Sequence, residues 1–152
     1  MTARIGYAAG AFDLFHVGHL NLLRHAKAQC DYLIAGVVAD ELLVATKGRS
    51  PVVPLAERLE IVRHIRCVDE AVAETLPRKI DTWRSVHFDI FFKGDDWRGT
   101  PKGLALEREF AAVGVEVVYF PYTMHTSSTA LRRTLELLNS GAQERVTLKS
   151  LP

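Results

Sequence analysis

Residues 5–39, IGYAAGAFDLFHVGHLNLLRHAKAQCDYLIAGVVA, hold two apolar runs on either side of an amphipathic stretch. The runs at 5–12 and 32–39 are continuously apolar rather than alternating, which predicts strands of a sheet covered on both faces. Between them Val17, Leu20 and Leu23 fall on one side of a helix. Strand, helix and strand in so short a span read as a parallel crossover unit.

The alternation continues outward. Strand-like runs recur at DIFFKG (89–94) and VEVVYFP (115–121), with a weaker one at CVDEAVAE (67–74). Helical patterns separate them at 17–30, 55–65, 78–87, 104–114 and 127–141, and Leu59, Val62 and Ile65 share a face of the second. Gly114 stands where a helix end favours glycine, and Ser127, Ser128 and Thr129 precede the last helix as capping residues. The expected fold is α/β: a Rossmann-like, doubly wound, parallel five-stranded sheet with helices on both faces. Residues 1–141 form the single domain, and 142–152, AQERVTLKSLP, read as a tail without periodicity.

Composition narrows the function. The chain has 152 residues, enough for one well-buried core, and 19 basic against 18 acidic residues. That balance gives no support to nonspecific nucleic-acid binding, which needs a basic surplus. Cys30 and Cys67 form no metal or disulfide pattern, which suits a reducing cytoplasm. The N-terminus lacks a signal-peptide pattern, and no apolar run approaches the ~18 residues of a membrane span.

Ligands of doubly wound sheets bind beyond the carboxyl ends of the strands, so functional residues should follow the first, fourth and fifth strands. Polar or glycine-rich segments lie there: FDLFHVGH (12–19), KGDDWRGTPKG (93–103) and YTMHTSST (122–129). A long basic segment, TKGRSPVVP (46–54), is a fourth candidate. In the first, a helix N-terminus attracts phosphate, Gly18 allows close approach, and His16 and His19 can donate to phosphate oxygens. The plainer alternative makes His16 a helix cap and His19 a surface residue. His25, His64 and His87 read as solvent-facing. A solvated charge run is the alternative for Lys47, Arg49 and Arg58, and an ion pair with Lys93 or Arg98 for Asp95 and Asp96.

GAFDLFHVGHLNLLRHAKAQCDYLIAGVVADE, then ERLEIVRHIRCVDE, KGDDW and TSSTALRR in that order, resemble the HxGH nucleotidyltransferases over residues 4–135. The likeness is to the cytidylyltransferase-like branch, and within it to the bacterial enzymes that use glycerol 3-phosphate. It implies transfer of CMP from CTP to a small phosphorylated alcohol, giving a CDP-alcohol and pyrophosphate. On that resemblance His16, His19 and Lys47 are catalytic. Ala11, Phe12, Asp13, Gly18, Lys47, Gly94, Asp95, Asp96, Thr123, Ser127, Ser128 and Thr129 bind nucleotide. Lys47, Arg58 and Trp97 hold the acceptor phosphate, and Mg²⁺ on the triphosphate is met by Asp13 or Asp95.

A homodimer with residues 65–70 near its contact is also implied. The chain departs from many relatives in carrying Tyr122 and Thr123 where they have an arginine–threonine pair, which leaves Arg132 or Arg133 to supply the missing charge. Adenylyl transfer from ATP to a sugar or flavin phosphate, a CTP-dependent phosphonate or ethanolamine phosphate enzyme, and a non-catalytic nucleotide-binding regulator are the competing readings.

Overall fold

The structure, a computed structural model, describes residues 2–121 and 126–149. Five strands, β1 (Ile5–Gly10), β2 (Tyr32–Val38), β3 (Glu70–Glu74), β4 (Ile90–Gly94) and β5 (Glu116–Phe120), form one sheet in the order β3-β2-β1-β4-β5. Every pairing is parallel, with Tyr7 opposite Ile34 and Phe91. The chain winds outward from β1 to β3, returns to β4 beside β1, and ends on β5. The reversal between β1 and β4 is the switch point at which such sheets bind ligands.

Helices α1 (Val17–Lys27), α2 (Asp40–Lys47), α3 (Leu55–Arg63), α4 (Lys79–Val86), α5 (Pro101–Ala111) and α6 (Ser128–Lys149) join and follow the strands. Alternation along each strand sends side chains to two cores. Ala8, Leu33, Val37 and Phe92 meet Leu23 of α1 and Val62 of α3 on one face. Tyr7, Ile34 and Phe91 meet Ile80 of α4 and Phe110 of α5 on the other. Gly36 is needed on the second face: a Cβ there would stand 1.9 Å from the Tyr7 hydroxyl, which donates to the buried Glu74 at 3.0 Å.

The expected class, strand number and two covered faces are all present. Two segments depart most from expectation. Residues 40–47 form α2 directly after β2, where no helix was anticipated, and α6 runs through position 141 to Lys149 instead of giving way to a tail.

Candidate nucleotide and phosphate site

A cavity of about 420 Å³ opens at the carboxyl ends of β1 and β4. Its floor begins with a tight turn after β1. Phe12 (φ 52°) and Leu14 (φ 50°) both occupy the left-handed region on either side of Asp13. Non-glycine residues there cost about 1–3 kcal/mol each and persist only where surroundings over-determine them. Asp13 supplies the restraint. Its carboxylate, 2% exposed, accepts from the Val52 and Val53 amides at 2.8 and 2.9 Å, and its carbonyl accepts from the Ser128 hydroxyl at 2.6 Å. The turn, the 48–54 loop and the start of α6 are thus tied at one residue. Burial alone would raise the Asp13 carboxyl, but the two amides and Arg132 outweigh it and hold the group below its usual range.

The paired histidines follow. His16 caps α1, its Nδ1 accepting from the Gly18 amide at 3.0 Å, and His19 Nδ1 accepts from the His16 amide at 3.2 Å. A capping box normally made by a hydroxyl and a carboxylate is here built from two imidazoles. The rings stack with centroids 4.0 Å apart, and Phe12 and Phe15 flank His19. Since each Nδ1 receives an N–H, the neutral ring carries its proton on Nε2. Burial pushes His19 down to about 4, helped by His16 and opposed by Asp13, and burial also lowers His16. Both rings are therefore neutral Nε2–H donors at pH 7. The cap anticipated as the plainer alternative for His16 is present, and it orients the ring. Gly18 has a reason other than ligand approach: a Cβ there would lie 2.7 Å from His16 Cε1.

Cations line the rest of the wall. Lys47 and Arg49 reach it from the end of α2 and the loop beyond, Lys93 from β4, and Arg132 from α6. Partial burial lowers Lys47, with Arg49 and Arg132 adding to the effect against Asp96 and Asp13. Burial likewise lowers Lys93, with Asp96 opposing and Lys79 and Lys47 assisting. Arg132 makes one long contact, 3.4 Å, to Asp13, while its buried Nε and Nη1 have no hydrogen-bond partner among the described residues. An unpaired buried guanidinium edge in a pocket wall is a site for an anion.

Most of the expected site residues converge here. Ala11, Phe12 and Asp13 line the cavity after β1, and His16, Gly18 and His19 line it from α1. Lys47, Gly94 and Asp96 contribute, as do Ser127, Ser128 and Thr129, with the Ser127 hydroxyl accepting from the Ala130 amide as a cap. Thr123 lies outside the described residues.

Three assignments need correction. Arg58 does not reach the cavity: its side chain is fully buried, donating to the Val53, Ala11 and Val38 carbonyls and to Asp40 at 2.5–2.8 Å. It ties three loops beneath the site rather than gripping an acceptor. Trp97 packs against the α4/α5 core with Lys93 over its ring, away from the lining. Asp95 is likewise absent from the cavity wall, where its neighbour Asp96 stands.

Nor do these residues fit a protein-held divalent cation. Both Asp13 oxygens already accept hydrogen bonds, and no three carboxylate, histidine or cysteine side chains cluster for a metal among the described residues. No helix among them is long and apolar enough to cross a membrane.

Sequence reasoning passed over Lys93 as a lining group and His25 as more than a surface residue. His25 is exposed, but at the cavity, with its ring 5.6 Å from Phe120. The signal was present: His25 lies seven residues after Gly18, on the same helical face. Lys93 occupies the penultimate position of β4, beside the switch point.

Comparison with known proteins agrees with this geometry. A profile of the family described as cytidylyltransferase-like matches residues 7–134. Glycerol-3-phosphate cytidylyltransferase of Bacillus spizizenii is 34% identical over 130 residues, covering 85% of this chain and 95% of its own. FAD synthase of Thermococcus onnurineus is 37% identical over 117 residues, covering 76% and 77%. Ethanolamine-phosphate cytidylyltransferase of Arabidopsis thaliana is 39% identical over 104 residues, 64% of this chain, but this chain spans only about a quarter of that protein, 24% of its length. Among solved structures, a lipopolysaccharide core biosynthesis protein of Thermoplasma volcanium superposes with a TM-score of 0.69 at 23% identity, over 82% of this chain and 100% of its own, which shows the shared fold. Fold, switch-point cavity and profile agree, and the chain belongs to the cytidylyltransferase-like family of nucleotidyltransferases.

Proposed function

We propose that the protein transfers CMP from CTP to a small phosphorylated alcohol, with sn-glycerol 3-phosphate the first candidate, releasing pyrophosphate and forming a CDP-alcohol. The observation that carries the reading is the histidine pair, whose Nδ1 atoms are both held by backbone amides so that both Nε2–H groups remain for the ligand. An acceptor phosphate oxygen attacks the α-phosphorus of the nucleotide. The new O–P bond forms as the bond to the bridging oxygen breaks, and pyrophosphate leaves with the electron pair. A phosphate oxygen is nucleophilic at neutral pH, so no general base is required. Charge growing on the leaving oxygens meets preorganised donors from His16 and His19 and the positive charge of Lys47 and Arg132. Any divalent cation is carried in by the triphosphate rather than by Asp13 or Asp95.

A second reading, adenylyl transfer from ATP to a flavin or sugar phosphate, is supported by the FAD synthase relative. Pyrophosphate release with each nucleoside triphosphate tests both. CTP-dependent release with glycerol 3-phosphate supports the first, ATP-dependent release the second, and none with any pair leaves a binding regulator.

The family resemblance also supports a homodimer with residues 65–70 near its contact, which a monomer in sedimentation equilibrium at micromolar concentration would refute. The unpaired Cys30 and Cys67 suit a cytoplasmic setting.

A further inference from the structure

The charges around β4 limit what the acceptor can be. Lys93 pairs with Tyr119 across β4 and β5, and Phe92, one residue earlier, belongs to the core under α1. Alternation therefore sends Lys93 toward the α4/α5 face, where Trp97 packs. The cavity straddles the carboxyl edge of the sheet. The histidines stand on the α1 side, and Lys93 and Asp96 stand with Ala9 on the other.

An ammonium or trimethylammonium head needs an aromatic face or an unshared carboxylate. Of the phenyl rings in the wall, Phe12 packs on Phe15 and His19, and Phe120 on Phe92 and His25. Next to the wall, Trp97 is covered by Lys93, which also approaches Asp96. The Lys93 Nζ lies 4.2 Å from the centroid of the Trp97 ring and 3.7 Å from Asp96 Oδ1. Lys102 approaches the same ring at 5.7 Å. Asp13, the other carboxylate of the wall, is taken by the Val52 and Val53 amides. Lys47 and Arg49 add two more positive charges to this wall.

Resting on the nucleotidyl-transfer reading above, we propose that the acceptor is a phosphomonoester bearing hydroxyl or carboxylate groups and no ammonium group, and that Lys93 grips it. An aminoalcohol phosphate would bring a cation against Lys47, Arg49 and Lys93. A hydroxyl or carboxylate would accept a hydrogen bond from Lys93 in the same position. The inference separates this chain from the ethanolamine phosphate use that the plant relative's name states.

The test is calorimetric titration of the full chain, with a non-hydrolysable CTP or ATP analogue bound, by glycerol 3-phosphate and by ethanolamine phosphate. These two phosphomonoesters are similar in size, and the first carries two hydroxyls where the second carries an ammonium group. Like-charge opposition should make glycerol 3-phosphate bind about tenfold tighter or more. Lys93→Met should remove most of that preference by weakening glycerol 3-phosphate, and Lys93→Arg should retain it. Ethanolamine phosphate binding equally or more tightly overturns the proposal, as does failure of glycerol 3-phosphate to bind at 10 mM. Unchanged glycerol 3-phosphate affinity in a Lys93→Met protein of normal melting temperature removes Lys93 from it. The wild-type comparison stands even if that variant does not fold. The same binding preference without pyrophosphate release for any nucleotide would refute the transfer reading and leave only the phosphomonoester preference and the Lys93 contact.

Discussion

Replacing His16 by asparagine separates the two tasks its ring performs. Nδ1 caps α1 by accepting from the Gly18 amide, and Nε2–H is left for the ligand. Asparagine is among the best N-caps, so His16→Asn should keep stability within about 0.5 kcal/mol, whereas His16→Ala should lose about 1 kcal/mol with the cap. Neither variant has a donor at the Nε2 position. If that donor acts on the transition state, both should lose about 10²-fold in kcat, or roughly 3 kcal/mol, with kcat/KM falling in parallel. His19→Ala should be similarly slow but is a poorer probe, because its ring also packs on Phe12 and Phe15. The assay is steady-state pyrophosphate release alongside thermal melting, with His64→Ala as the silent control. His64 is exposed just past the C-terminal end of α3 and outside the cavity, whereas His25 lines it. A stable His16→Asn protein with near-normal kcat would show that the ring only caps the helix, and the proposed chemistry would fall.

Arg58→Met should destabilise the fold by about 3–5 kcal/mol, because three carbonyls and Asp40 lose a buried partner; a melting temperature equal to wild type would contradict this. Lys47→Ala should do the reverse, changing stability by less than about 0.5 kcal/mol and lowering turnover about 100-fold, as kinetics and melting measured together would show. Gly18→Ala should displace the His16 ring and lower kcat at least about tenfold, and a crystal structure with the ring unmoved would refute the reason given for that glycine. Stability should rise with pH between about 4, the folded value for His19, and 6.5, the ordinary histidine value, because the unfolded chain binds the extra proton there. The His19 contribution is complete above that window and lost below it. Denaturant titrations of wild type and His19→Gln across it should differ in slope.

The alternation of apolar runs made the sheet and its two covered faces legible, and the switch-point rule then located the site. Legibility ended where one helical turn decides a side chain's direction. The family resemblance, added to its charge, assigns Arg58 to the acceptor phosphate, yet it is three residues after Leu55 and four before Val62, on the apolar face of α3. Its position on that stripe, had it been weighed above the charge, points inward. Helix α2 was missed because its eight residues follow β2 after only Ala39, with no side-chain cap to mark the start. Asp95 and Asp96 look equivalent in sequence, and the 3₁₀ turn over Asp95–Trp97 lets only Asp96 join the wall. The bond from Asp13 to the 48–54 loop joins residues about forty apart, which no local pattern encodes.

The distribution of charge around the cavity makes one more quantity measurable. The histidines are neutral, so positive charge resides on Lys47, Arg49, Lys93 and Arg132, and the two lysines hold their protons less firmly than free lysine. Burial is the first cause in both, followed for Lys47 by the charge of Arg49. A bound triphosphate opposes these causes by placing negative charge against the ammonium groups, which raises both lysines again. Binding must then take up protons, more of them as pH rises toward the lowered lysine values. Calorimetry of CTP or ATP binding in buffers of different ionisation enthalpy should show a lysine-dependent uptake that grows as pH is raised from neutrality toward the ordinary lysine value of about 10.5. Lys47→Met should reduce the uptake at pH 9 while leaving that from Lys93. Proton release on binding at pH 9, or uptake independent of pH, would mean that the lysines do not face the phosphates.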